Sequence, residues 1–149
     1  MILLDTNVVS EAMRPKPDRN ALGWLDAQAA ETLYLSTVSL AELLLGIESL
    51  PAGKRRRALA AALAEHVLAL FAGRIVPFDL AAAQTYAKIV TRARRYGHPI
   101  AVADAQIAAI AASRHFSVAT RDETPFRAVG VPVVNPWNIS PEARMLGSD

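Results

Sequence analysis

Cysteine is absent from the 149 residues. Disulfide frameworks and thiolate zinc sites are thereby excluded, and nothing points to an oxidising compartment. Lysine is scarce, since 13 of the 16 basic residues are arginine. Histidine occurs only at His66, His98 and His115, without the i, i+4 pair that builds an imidazole metal helix. Long apolar runs are missing as well. The opening MILL ends at Asp5 and has no basic stretch ahead of it, unlike a secretory signal peptide. The stretch ALAAALAEHVLALFAG carries Glu65 and His66 in its middle, interrupting the roughly 20 apolar residues that a spanning helix needs. A soluble, cytoplasmic protein with no membrane association is expected.

What is present is enough for a compact core. Hydrophobic residues make up 52% of the chain against 20% charged, which excludes a disordered protein, and 7 Gly with 9 Pro are too few for a fibrous one. The length fits one domain, placed at residues 1–137. The tail 138–149, NISPEARMLGSD, has little apolar content and is expected to fray.

MILL, LYLS, IVPF, FSVAT and VPVV read as buried strands. Between them lie helical stretches: VVSEAM, DRNALGWLDAQ capped by Asp18, SLAELLLGIESL ending before Pro51, KRRRALAAALAEHVLALF, DLAAAQTYAKIVTRARRYG running from a cap at Asp79 to a stop at Gly97, and AVADAQIAAIAASRHF. Strands alternating with helices predict an α/β fold, a three-layer α/β/α sandwich around a short, mainly parallel sheet.

Four acids stand out against this frame. Asp5 follows an apolar strand, at the carboxyl end where ligands of open α/β sheets bind; capping of the next helix is the alternative. Asp104 shares a helix face with Ile100, Ile107, Ala108 and Ala111. A charge on such a face must be protonated, paired with an arginine, or close to a cation. Glu42 ends Ser39-Leu-Ala-Glu42, which has the spacing of a capping box. Asp122 follows the strand FSVAT and equally suits an Asx-turn or a cap. One joint reading covers all four: they converge on one rim of the sheet, where like charges repel unless a divalent cation compensates. Oxygen-only ligands favour Mg²⁺, or Mn²⁺, over zinc, and such a site can position a phosphodiester and activate water. The pI near 9.3 leans towards a phosphate-bearing partner. Lys54-Arg55-Arg56-Arg57 forms one basic cluster. Lys88, Arg92 and Arg95 share a helix face in a second, with a solvated surface as the plain alternative.

Asp5-Thr6-Asn7 after a strand, the S-x-x-E ending at Glu42 before LLLG, GHPIAVADAQIAAIA with Asp104, and VATRD with Thr120 and Asp122 resemble, in order and spacing, the motifs of PIN-domain ribonucleases. The likeness spans residues 1–137 and is to the VapC-type toxin branch with its FitB-like members; the closing GVPVVNPWN is similar to that branch's ending. The resemblance implies that Asp5, Glu42, Asp104 and Asp122 are catalytic metal-site acids supported by Thr6, Asn7 and Thr120. Apart from the resemblance, Arg92 and Arg95 of the second basic cluster, with Arg121, are the expected RNA contacts. The resemblance further implies Mg²⁺-dependent RNA cleavage, a homodimer, a small antitoxin partner, and DNA contact only through that antitoxin. One departure is visible. Many relatives carry Asn at the position of Asp122 and an acid before the following Phe, where this chain has Pro125 before Phe126.

Three other readings compete. A phosphoacceptor receiver domain would carry an acidic pair after the first strand and a lysine near the last; this chain has a lone Asp5 there, and its only lysines are Lys16, Lys54 and Lys88. A catalytically inactive PIN module that binds nucleic acid or antitoxin would not need the retained acids. A DNA-directed nuclease would use the same carboxylates and differ only in contacts to the 2′-hydroxyl.

Overall fold

The computed structural model describes residues 1–139. In chain order the elements are β1 Ile2–Leu4, α1 Thr6–Ala12, α2 Arg19–Ala27, β2 Leu33–Ser36, α3 Thr37–Glu48, α4 Lys54–Ala62, β3 Ile75–Val76, α5 Leu80–Arg95, α6 Val102–Arg114, β4 Ser117–Ala119, α7 Thr124–Ala128 and β5 Val133–Val134. The strands pair in the order β3-β2-β1-β4-β5, every pair parallel. Leu3 lies opposite Tyr34 on one side and Val118 on the other.

The strands read as unbroken apolar runs because both sheet faces are covered, and their period-2 alternation divides those runs between two cores. Leu3, Tyr34, Val76 and Val118 point to the face where Ile89, Ile107, Ile110 and Phe126 of α5, α6 and α7 pack. Leu4, Leu33, Leu35 and Ala119 point to the other, packed by Val8 of α1, Trp24 of α2, and Leu43 and Ile47 of α3. The expected three-layer sandwich is the fold found.

Caps set the helix starts. Asp18 accepts from the amides of Asn20 and Ala21, and Asp79 from that of Ala82. Helix α5 stops at Tyr96, where Gly97 adopts φ 74, a left-handed turn that glycine takes without steric cost.

Two expectations need correction. KRRRALAAALAEHVLALF is not uniform α-helix, because Leu63–Leu68 is a π turn. Leu63, Val67 and Phe71, all buried, recur every four residues, longer than the α period; a wider i→i+5 turn keeps them on one face. Helix α3 is capped by Ser36, whose hydroxyl accepts from the Ser39 amide at 3.0 Å, so Ser39 and Glu42 form no capping box.

Among the described residues no helix is long and apolar enough to cross a membrane. Of the tail placed at 138–149, Asn138 closes the 3₁₀ turn Pro136–Asn138 and Ile139 packs against the second core. The remainder lies outside the described residues.

Candidate active site

The chain runs from β1 outward to β2 and β3, then returns to lay β4 on the opposite side of β1. The crevice beyond the carboxyl ends of β1 and β4 is therefore a topological switch point, where open α/β sheets bind ligands. Leu4 pairs with Ala119, so Asp5 and Thr120 are the first residues past neighbouring strands. The Asp5 amide continues the ladder to the Ala119 carbonyl at 2.9 Å.

Asp5 is both cap and site residue. Its Oδ1 accepts from the Thr6 amide at 2.8 Å, opening α1, while Oδ2 accepts from the Thr120 hydroxyl at 2.8 Å and the Asn7 side-chain amide at 3.4 Å. Thr120, fully buried, also accepts from Asn7 Nδ2 at 3.2 Å and from the Asp122 amide at 3.1 Å. Asn7 Oδ1 accepts from the Arg121 amide at 3.3 Å. Thr120 and Asn7 thus lock the two strand ends together and fix the Asp5 carboxylate, leaving lone pairs on its oxygens for a ligand.

The other acids arrive from three further elements. Glu42, exposed on the second turn of α3, accepts from the Thr6 hydroxyl at 2.8 Å. Asp104, half-buried in the first turn of α6, has no ion-pair partner among the described residues, so the arginine-paired alternative is not realised. Asp122 is exposed beyond β4, and its side chain does not cap α7. Asp5, Thr6, Asn7, Glu42, Asp104 and Asp122 line one cleft of about 500 Å³. Among the described residues no three His, Cys, Asp or Glu side chains form a ready-made metal cage.

Electrostatics in the cleft oppose ionisation. Burial pushes the Asp5 carboxyl up from 3.8 to about 6, the Asp104 and Glu42 charges add to this, and hydrogen bonds from Thr120 and Thr6 act against it. Asp104 is raised in turn, first by burial and then by the charges of Asp122 and Glu42. Neither of these two acids is ion-paired among the described residues, and the charge of each is disfavoured by burial and by its like-charged neighbours.

The PIN domain family matches residues 2–132. The chain belongs to that family. It is 50% identical over 137 residues to a VapC ribonuclease, Y4jK, of Sinorhizobium fredii, covering 92% of this chain and 98% of that one. It is 48% identical over 138 residues to the toxin FitB of Neisseria gonorrhoeae, covering 93% and 99%. A solved structure of FitAB bound to an IR36 DNA fragment superposes with a TM-score of 0.90 at 46% identity, covering 94% of this chain and 98% of that chain.

The surroundings of this PIN-domain cleft hold residues that motif reading passed over. Glu11, Arg14 and Trp137 line it. The Asp18 amide and the Arg14 guanidinium donate to Glu11 and hold its carboxyl below its ordinary value. Glu11 thus pins the loop after α1 and carries Arg14 to the rim. The available signals were an acid three residues before an arginine in EAMRPKP, and an aromatic just past the last strand in NPW. An apolar groove alongside shares Thr6, Ser10, Arg14 and Glu42 with the cleft and is bordered by Arg55 of α4, and only one of the four acids reaches it.

Lys88, Arg92 and Arg95 do share one exposed face of α5. The Arg114–Asp79 pair, 3.4 Å, ties the end of α6 to the start of α5. The two helices run antiparallel, and the basic end of α5 lies beside the start of α6, where Asp104 sits. Arg121 lines the cleft and lies over the Trp137 ring.

Proposed function

We propose that this PIN domain is a cytoplasmic Mg²⁺-dependent endoribonuclease and the toxin of a toxin–antitoxin pair. The observation that carries the reading is the gathering of Asp5, Glu42, Asp104 and Asp122 on one cleft at the β1/β4 switch point, with no arginine or lysine paired to any of them among the described residues. All candidate ligand atoms are carboxylate oxygens, a donor set suited to Mg²⁺ or Mn²⁺. When bound, such an ion supplies charge neutralisation on a phosphodiester and a water of lowered pKa. The chain's own residues do the rest. Asp5 and Asp104 would hold the ion with Glu42 and Asp122 beside them, while Thr120 and Asn7 keep Asp5 in orientation and Thr6 holds Glu42. Arg92 and Arg95, at the Asp104 end of the α5–α6 hairpin, extend the phosphate contacts along the surface.

The VapC and FitB relatives support the toxin role, and with it a homodimer and a small antitoxin that supplies any contact to DNA. The antitoxin's cationic side chain would enter the acidic cleft in competition with metal. The deciding experiment maps cleavage ends on total RNA and on a DNA counterpart, with Mg²⁺ and with chelator, for wild type and Asp104→Asn. Metal-dependent cuts in RNA that vanish in the variant are expected. Intact RNA, or cuts that Asp104→Asn leaves unchanged, would overturn the reading.

A further inference from the structure

We propose that Arg121, laid over Trp137, is a stacking platform at the mouth of the cleft that receives one unpaired nucleobase of the substrate. The proposal deepens the ribonuclease reading and rests on it for the identity of the ligand.

The two tryptophans have different surroundings. Trp24 is core, 5% exposed. Trp137 is half-buried, packs against the core by part of its surface, and lines the acidic cleft. Its backbone is firmly held: the Trp137 amide donates to Asn135 Oδ1 at 3.0 Å, its carbonyl accepts from Asn20 Nδ2 at 3.1 Å, and the preceding Pro136 is buried. An aromatic fixed this way loses little freedom on binding.

Arg121 is exposed, and although it adjoins Asp122 it forms no ion pair among the described residues. Its guanidinium instead lies 5.4 Å from the centre of the Trp137 ring, while its amide is tied to Asn7. A planar, weakly hydrated cation on an aromatic face presents a flat positive surface to the cleft. Bases stack on arginine planes and aromatic rings only when their own faces are free, as in loops and single strands. A base seated here brings its adjoining phosphate towards Asp5, Asp104 and Asp122, which line the same cleft. The plain alternative is that Arg121 only shields the indole from water.

The test reads binding without cleavage. In chelator, the anisotropy of an end-labelled single-stranded RNA of about eight nucleotides, and of the same sequence annealed to its complement, is titrated with the protein, and Trp137 emission is followed in the wild type. The single strand should quench Trp137 emission and bind about tenfold or more tightly than the duplex, while Arg121→Ala and Trp137→Leu should each lose about tenfold. Trp137→Phe should retain most of the affinity. Arg121→Lys, which keeps the charge without the plane, should not restore it. Trp137 packs on the core, so melts accompany Trp137→Leu; the exposed Arg121 side chain leaves a second variant free of that complication. Equal binding of duplex, wild-type affinity in Arg121→Ala, or full rescue by lysine would overturn the platform. The two readings fail separately. Single-strand binding that depends on Arg121 in a protein that leaves RNA uncut would overturn the nuclease reading alone, and RNA cleavage in which Arg121→Ala alters neither affinity nor strand preference would overturn the platform alone.

Discussion

Helix α6 carries charge at both ends, and the two ends treat it differently. At the last turn Arg114 stands 3.4 Å from Asp79, the cap of α5. At the first turn Asp104 has no ion-pair partner among the described residues and feels the like charges of Asp122 and Glu42. Both placements suit the helix dipole, which favours an acid at the start and a base at the end. The dipole therefore cannot explain the difference. The Arg114 charge is paired where it stands, whereas the Asp104 charge is gathered with others of its own sign, an arrangement that works against the fold and that a bound cation would relieve.

The largest expected effect removes that cation's partners. Asp104→Asn or Asp5→Asn should lower Mg²⁺-dependent RNA cleavage by about a hundredfold or more, since each deletes a ligand charge and almost no volume. Single-turnover cleavage measures this, with circular dichroism to confirm folding. Arg114→Ala, at the other end of α6, should leave cleavage within about threefold of wild type. Equal losses at both ends would mean that cleavage tracks stability alone.

The next effect is on folding and its pH dependence. A carboxyl held at about 6 instead of 3.8 binds protons more tightly folded than unfolded. Asp5 therefore weakens the metal-free protein as pH rises from about 4 through 6, by roughly 3 kcal/mol once both forms are ionised. The raised Asp104 acts in the same direction. Denaturant melts between pH 4 and 8 in chelator should show this fall, and saturating Mg²⁺ at neutral pH should reverse about 2.7 kcal/mol of it at a hundredfold excess over Kd. Asp104→Asn should leave the metal-free protein as stable or more stable and blunt the Mg²⁺ response. A loss of stability in that variant, with no metal response in wild type, would make Asp104 a structural residue.

Much of this contrast is legible in the residues themselves. An acid after MILL falls at a strand end, because Leu3 and Leu4 just before it fill the two faces of a covered sheet, and the apolar spacing around Asp104 places its carboxylate beside buried neighbours. The S-x-x-E spacing misleads because LYLSTVSLAE offers two serines. Which one caps depends on where β2 ends, and the pairing of Ser36 with Val76 of β3 decides that from a distant part of the chain. Ser39 is left buried with its hydroxyl unpartnered among the described residues. The π turn was hidden in a run of helix formers, where composition alone does not distinguish a four-residue repeat from the α period. Trp137 and Arg14 escape motif reading because their place on the cleft depends on what lies across it, and Arg121 and Trp137 are brought together by the parallel pairing of β4 with β5.

The smallest effect is also the sharpest test of the contrast. Asp79→Ala removes both the α5 cap and the ion pair and should cost about 1–2 kcal/mol. Arg114→Ala removes the pair alone and should cost under about 1 kcal/mol, because both side chains are partly exposed and water screens them. The double variant isolates the pair's coupling, expected at about 0.2–1 kcal/mol and stabilising. The same cycle with Asp104→Asn and Asp122→Asn, in chelator at neutral pH, should give a coupling of opposite sign: the Asp122 charge is among the causes that raise Asp104, so neutralising either acid relieves the other and the second substitution gains less than the first. Adding Mg²⁺ should reverse that sign, since an ion held by both carboxylates turns their repulsion into joint attraction for the metal, while the Asp79–Arg114 cycle stays unchanged. Couplings of the same sign at both ends, indifferent to metal, would mean that Asp104 and Asp122 do not act as one site, and α6 would then have two structural ends.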